Sequence, residues 1–223
     1  MNFGQFRKVS QLGIARIKFL QMQHKFYKHG TSNHLEHNEN RDYWELLLGN
    51  VKLKETGVMR ALDFGCGKGR NVNNLEKLGW LLIDGSDLSI RNVKHCRDNF
   101  DARYHTFFAT SGVDTGQRIH NYYDLVISTI TLQHIPVYSI RKQILIDIFR
   151  VLKPNGLFSF QMGFGSDLMD QLGRPRSGYF EESTNAQSTN GGHDVRIIDQ
   201  DDLVSDLGDI GFIGIKTAIR DSF

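Results

Sequence analysis

A doubly wound α/β fold around a mostly parallel sheet is predicted by two features of this chain. From residue 58 onward, short apolar runs alternate with amphipathic helical patterns, as expected where helices cover both faces of a parallel sheet. The first of these runs, Arg60 to Phe64, ends in the turn Gly65-Cys66-Gly67-Lys68-Gly69. Alternating glycines present main chain without β-carbons, so a flat or charged ligand can approach the backbone closely. A dinucleotide loop needs G-x-G-x-x-G, and here Arg70 stands where its third glycine belongs. The loop reads G-x-G-x-G instead, with Asp63 just ahead of it.

The elements follow in order. Ahead of the sheet, residues 4–28 and 42–54 are predicted as two helices joined by a polar loop over 29–40. In the first, Phe6, Val9, Gly13, Ile17 and Leu20 share one face and the bases lie opposite. A membrane-surface helix gives the same pattern, and a helix capping a ligand cleft is the reading adopted here. Strands are expected at Arg60 to Phe64, Trp80 to Asp84, Arg103 to Ala109, Tyr123 to Thr129 and Leu157 to Met162. Helices are expected at Asn71 to Leu78, Ser89 to Asn99 and Val137 to Leu152, the last with Ile140, Ile144, Ile148 and Val151 at helical spacing. The crossover around Thr115 to His120 carries little pattern. Lys153-Pro154-Asn155-Gly156 ends a helix, because proline cannot continue one and Asn-Gly suits a positive φ. Residues 163–193, rich in Gly, Ser, Asn, Gln and Thr, are read as a lid loop. Order resumes at Asp194 to Ile198, followed by a helix over Asp199 to Asp209 and a last strand from Gly211 to Ile219. The chain is thus expected to be one domain: a helical cap (1–54), a core (58–162), the lid, and a C-terminal helix and strand (194–223).

Bulk properties narrow the classes. At 223 residues, 39% hydrophobic and 23% charged, the chain supports one core. A formal charge of +2 gives no reason to expect a nucleic-acid polymer or an anionic membrane as partner. Residues 1 to 54 carry nine basic side chains against four acidic ones, and the segment from Asp194 onward seven acidic against three basic, so the two ends are expected to attract each other. Two cysteines, Cys66 and Cys96, make neither a disulfide framework nor a metal cluster, and no metal is expected. The first residues lack the apolar core of a signal peptide, and no stretch approaches the ~18 apolar residues of a membrane span. A cytoplasmic protein is therefore expected.

Leu62-Asp63-Phe64-Gly65-Cys66-Gly67-Lys68-Gly69 resembles the first motif of the class I S-adenosylmethionine-dependent methyltransferases. Asp84-Gly85-Ser86-Asp87-Leu88-Ser89 is similar to that family's second-strand acid motif. Tyr123-Asp124-Leu125-Val126-Ile127-Ser128 is similar to its fourth strand, and Arg150-Val151-Leu152-Lys153-Pro154-Asn155-Gly156 to its turn into the fifth. The resemblance covers residues 58 to 162 and implies the Rossmann-like methyltransferase fold, with S-adenosylmethionine as cofactor and S-adenosylhomocysteine as product. Amides at the helix start after Gly67 would meet the cofactor carboxylate, and carbonyls of the loop Gly65-Cys66-Gly67 would accept from its ammonium. Asp63 would brace the loop and reach the ammonium through water, and Asp87, followed by Leu88, would accept from the ribose hydroxyls. Asp87 also has a plainer reading, as a strand-end acid or the cap of the next helix. After the third strand, where family members often carry an acid for the adenine amino group, this chain reads Ala109-Thr110-Ser111-Gly112. That contact then falls to Ser111 and Gly112.

Ser128 to Pro136 resembles the segment that runs between cofactor and substrate in small-molecule members. His134 is open to three readings: a general base, a contact to cofactor or cleft, or a structural residue before Pro136. Methyl transfer from a sulfonium can proceed by alignment alone, so a base is not obligatory. Tyr43 with Trp44, and Tyr179, Glu181, His193 and Asp194 in the lid, are candidates for substrate contact; packing is the alternative for each. Ser128-Thr129-Ile130-Thr131 does not match the Asp/Asn-Pro-Pro-aromatic motif of DNA amino-methylating relatives, and neither cysteine sits in an activating pattern. The implied function is methyl transfer to an O or N atom of a small molecule, with nucleic acid disfavoured. The alternatives are methylation of protein or RNA, and cofactor binding without catalysis. Because family sheets close with a seventh antiparallel strand, and little chain follows Ile219, a six-stranded or partner-completed sheet is expected, open to self-association.

Overall fold

The computed structural model describes residues 17, 21, 47–48, 57–166, 176–182 and 195–219. Among them, five strands form one parallel sheet in the order β3-β2-β1-β4-β5. The strands are β1 (Arg60–Phe64), β2 (Leu82–Asp87), β3 (His105–Ala109), β4 (Tyr123–Ser128) and β5 (Leu152–Phe160). The helices between and after them are α1 (Arg70–Lys77), α2 (Ile90–Asn99), α3 (Tyr138–Val151) and α4 (Gln200–Ile210). No helix joins β3 to β4. Instead the Asp147 carboxylate on α3 accepts from both the amide and the hydroxyl of Thr115, at 2.8 and 2.7 Å, fixing that connection from outside.

Strand order reverses between β1 and β4, which pair in parallel through Ala61–Leu125, Leu62–Val126 and Asp63–Ile127. This is the switch point of a doubly wound sheet, where the loops after the two strands diverge and leave a crevice. One apolar layer packs β1 and β4 against α3 and α4, with Leu62, Val126, Ile140, Ile144, Ile148, Leu203 and Leu207 at its centre. The other packs Ala61, Ile83, Leu125 and Ile127 against α1 and α2 through Val72, Leu75, Val93 and Cys96. Strands buried on both faces explain why β1 and β4 read as nearly continuous apolar runs.

Several expectations are corrected here. β2 runs on through Gly85, Ser86 and Asp87, because β1 and β3 both pair with Gly85 and Ser86 and β3 pairs with Asp87. β5 begins at Leu152 instead of Leu157: Tyr123 pairs with Leu152 and Leu125 with Leu157, so Lys153 to Gly156 form a bulge with Asn155 at φ 63°. The main sheet has five strands among the described residues, where six were expected. Residues 211–219 form no strand; Ile213 is 91% exposed, and strand propensity without a neighbouring ladder does not make a strand. The lid is also more than a loop. β6 (Gly163–Phe164), β7 (Ser177–Gly178) and β8 (Val195–Ile197) form a second, three-stranded parallel sheet in the order β6-β8-β7.

Of the helical cap, Ile17, Gln21, Leu47 and Leu48 are described, and all four are helical. The Leu47 carbonyl accepts from the Ser159 hydroxyl on β5 at 2.5 Å, and Leu48 packs on the α1–α2 layer, so that stretch lies against the sheet. Tyr43, Trp44, His193 and Asp194 lie outside the described residues.

Candidate functional site

The glycine loop leaves β1 at the switch point with Gly65, Gly67 and Gly69 all at positive φ, 80°, 54° and 87°. Its amides are held from β2: Gly65 and Cys66 both donate to the Ser86 carbonyl, at 2.8 and 3.0 Å. Gly65 has a second requirement. A β-carbon there would stand 2.1 Å from the Thr131 hydroxyl oxygen, so Thr131 from the loop after β4 closes directly onto the Gly65 main chain. Ile130 beside it sits at φ 56°, a left-handed conformation that costs a β-branched residue about 1–3 kcal/mol and that collects at functional sites.

Behind the loop lies Asp63, fully buried. Its Oδ1 accepts from the Asn71 amide nitrogen at 3.2 Å, and Asn71 also donates to the Thr129 hydroxyl at 2.8 Å. Arg70 reaches that same hydroxyl at 3.4 Å. The second carboxylate oxygen of Asp63, Oδ2, is buried and has no hydrogen-bond partner among the described residues. Burial is the main reason its carboxyl is lifted from 3.8 to about 7, against the lowering effect of Asn71 and the Arg70 charge. α1 starts at Gly69 with no side-chain cap and no acid in its first turn, so its first amides point outward unneutralised.

Asp87 ends β2. Its Oδ2 accepts from the Gly67 amide at 2.8 Å; its Oδ1 accepts from the Ser89 amide at 2.7 Å and from Asn92 at 3.3 Å. The sequence's two readings of Asp87 thus coexist, since one carboxylate latches the glycine loop and steadies the start of α2. A carboxylate offers about four lone-pair sites, so three protein donors leave about one for a ligand hydroxyl. Burial raises its pKa, opposed by the bonds from Ser89 and Gly67.

The other sequence-predicted residues fall as follows. Leu88 is half-buried at the strand end. Ser111 is exposed and donates to Asp114 at 2.7 Å; Gly112, at φ 88°, donates to the Thr110 hydroxyl. Ser128 is buried and its hydroxyl donates to the Phe64 carbonyl at 3.1 Å, tying β4 to β1 under the loop. His134 closes a short 3-10 turn, Leu132–His134, and is half-buried there. Tyr179 is buried, and its hydroxyl donates to Asp206 of α4 at 2.8 Å, which commits it to the α3–α4 junction. Cys66 and Cys96 both donate to the Gly67 carbonyl, at 3.7 and 3.4 Å; the neighbouring Cys96 thiol and burial push the Cys66 thiol up. Asn71, Thr129 and Thr131 were not singled out by sequence reasoning. Their roles arise from contacts across more than fifty residues, and only Asn71, next to the glycine turn, carried a local signal.

The comparisons with known proteins agree with this geometry. The methyltransferase domain family matches residues 62–160, the span from β1 to the end of β5. That match supports reading the core as a class I S-adenosylmethionine-dependent methyltransferase domain. Among solved structures, an S-adenosylmethionine-dependent methyltransferase from Mesorhizobium loti is 18% identical with TM-score 0.53, covering 71% of this chain and 76% of its own. The [4+2]-cyclase SpnF is 18% identical with TM-score 0.55, over 76% of this chain and 57% of its own. A TehB-like methyltransferase from Corynebacterium glutamicum is 25% identical with TM-score 0.41, over 49% and 56%. The chain spans about half the length of several other structures it matches, 52% and 56% for two of them. No curated protein sequence matches it. No described helix is long and apolar enough to cross a membrane.

Proposed function

We propose that this chain transfers the methyl group of S-adenosylmethionine to an O or N atom of a small molecule. The observation that carries the proposal is the orphaned, buried Oδ2 of Asp63 behind the glycine loop. A buried carboxylate oxygen without a donor is costly, and a ligand ammonium is the donor that offsets it. The residues present fit this cofactor. Asp63 would accept from its ammonium, the uncapped start of α1 would receive its carboxylate, and the open lone-pair site on Asp87 would take one ribose hydroxyl. By the family resemblance, Ser111 and Gly112 would contact adenine.

When bound, the cofactor supplies a sulfonium-activated methyl group. The chain's own part is to bind, orient and exclude water: Thr131 and the strained Ile130 shape the β4 side of the crevice, and the 3-10 turn presents His134 beside it. His134 is proposed as a cleft residue available to accept a proton from the acceptor.

The structural likeness to a [4+2]-cyclase shows that the fold alone does not fix the reaction. Transfer of labelled methyl from S-adenosylmethionine into small-molecule, protein and RNA fractions of an extract tests the proposal. Label in the small-molecule fraction supports it. Label confined to protein or RNA moves the acceptor to a macromolecule, and cofactor binding with no label in any fraction leaves binding without methyl transfer.

A further inference from the structure

We propose that Arg196 recognises an anionic group on the acceptor, so that the methyl acceptor carries a carboxylate or a phosphoryl group; this rests on the methyltransferase reading above. Side chains alternate along β8. Val195 and Ile197 are buried in the apolar layer with Leu132, Tyr179, Leu203 and Leu207. Arg196, between them, therefore projects from the other face of the small sheet, away from α3 and α4. That sheet starts just past the C-terminal end of β5, and β8 packs on the 3-10 turn that follows β4, so the small sheet lies at the end of the main sheet where the switch-point crevice opens.

Among the described residues, the surroundings of Arg196 leave its guanidinium open to a ligand. Both of its cross-strand neighbours are glycines, Gly163 on β6 and Gly178 on β7. A β-carbon on Gly163 would stand 3.0 Å from Arg196 Cδ and Nη1, so the side chain lies along bare main chain. Nη1 donates to the Phe164 carbonyl at 3.2 Å. Nε is buried with no acceptor, and no carboxylate pairs with Arg196 among the described residues. A guanidinium has five N–H donors in a planar fork, and a half-buried one with a single carbonyl partner is under-compensated. Carboxylate and phosphoryl oxygens match that fork in a two-point contact. Strand alternation puts Arg176 on the same side, two residues before Gly178. Glu181 borders it as well, its Oε1 lying 3.2 Å from where a β-carbon on Gly178 would sit.

The test titrates benzoate, phenyl phosphate and neutral benzamide into the protein, with and without S-adenosylhomocysteine, following the Arg Nε–H resonances by NMR. Benzoate or phenyl phosphate is expected to bind saturably and to move the Arg196 signal, with benzamide at least tenfold weaker. The tighter of the two anions identifies carboxylate or phosphoryl. Arg196→Gln and Gly163→Ala, the second keeping the arginine but displacing it, should each weaken the anion at least tenfold and leave S-adenosylhomocysteine affinity unchanged. Equal binding of benzamide, no saturable anion binding, or undiminished anion binding in Arg196→Gln overturns the proposal. Failure of S-adenosylhomocysteine to bind the parent protein would overturn the methyltransferase reading instead, and the titration of the unloaded protein would still decide the role of Arg196.

Discussion

Replacing Asp63 with asparagine should make the ligand-free protein more stable above neutral pH and impair the site. Burial raises the Asp63 carboxyl from 3.8 to about 7, and at about 1.4 kcal/mol per pKa unit the ionised group costs the fold about 4 kcal/mol. Because the folded-state pKa is raised, that cost is absent below pH 3.8, grows as pH rises, and is complete above about 7. The Asp63→Asn side chain would keep an acceptor for Asn71 but would place an amide N–H₂ where Oδ2 lacks a partner, at a cost of about 1–3 kcal/mol. The variant should therefore be less stable than the parent near pH 4 and more stable by about 1–3 kcal/mol at pH 8. Urea unfolding of both proteins without cofactor, followed by circular dichroism at half-unit steps between those limits, measures the difference. Its predicted change across the range is about 4 kcal/mol. Parallel curves, with a difference independent of pH, would refute the reasoning.

Three further outcomes are expected. Gly65→Ala would drive a β-carbon into Thr131 at a φ of 80°, so it should lose about 1–3 kcal/mol by urea unfolding and at least tenfold in S-adenosylhomocysteine affinity by titration calorimetry. Asp206→Asn weakens three bonds at once, from Tyr138, Lys142 and Tyr179, at 2.6, 2.8 and 2.8 Å. It should cost about 1–3 kcal/mol and open residues 177–182 to limited proteolysis. Cys66 has its thiol pushed up by the neighbouring Cys96 thiol and by burial, so iodoacetamide at pH 8 should label it, by mass spectrometry, only after unfolding.

Much of the core was legible because its causes are local. β1 was read to the residue, and β4 to within one, since strands buried on both faces announce themselves as unbroken apolar runs. The glycine turn, Asp63 and Asp87 were legible because the turn needs positive φ and the acids flank it at strand ends. The extension of β2 through Gly85 and Ser86 was not, since those residue types favour turns and only pairing on both sides holds them extended. Residues 211–219 failed in the opposite sense: Phe212, Ile213 and Ile215 look like a strand, yet no ladder lies beside them among the described residues. At the site, the bond from Asn71 to Thr129 spans 58 residues, and Arg196 acquires its meaning from glycines on two other strands. Neither has a signature in the linear sequence.

Titration calorimetry of S-adenosylhomocysteine between pH 5 and 7.5 asks whether the buried Asp63 carboxylate receives the cofactor ammonium. Binding at one equivalent is predicted, with affinity falling about tenfold for each unit below pH 7 as Asp63 takes up its proton, and with weaker, pH-independent binding by Asp63→Asn. No binding by the parent protein, or the same affinity and pH dependence in parent and variant, would contradict the account.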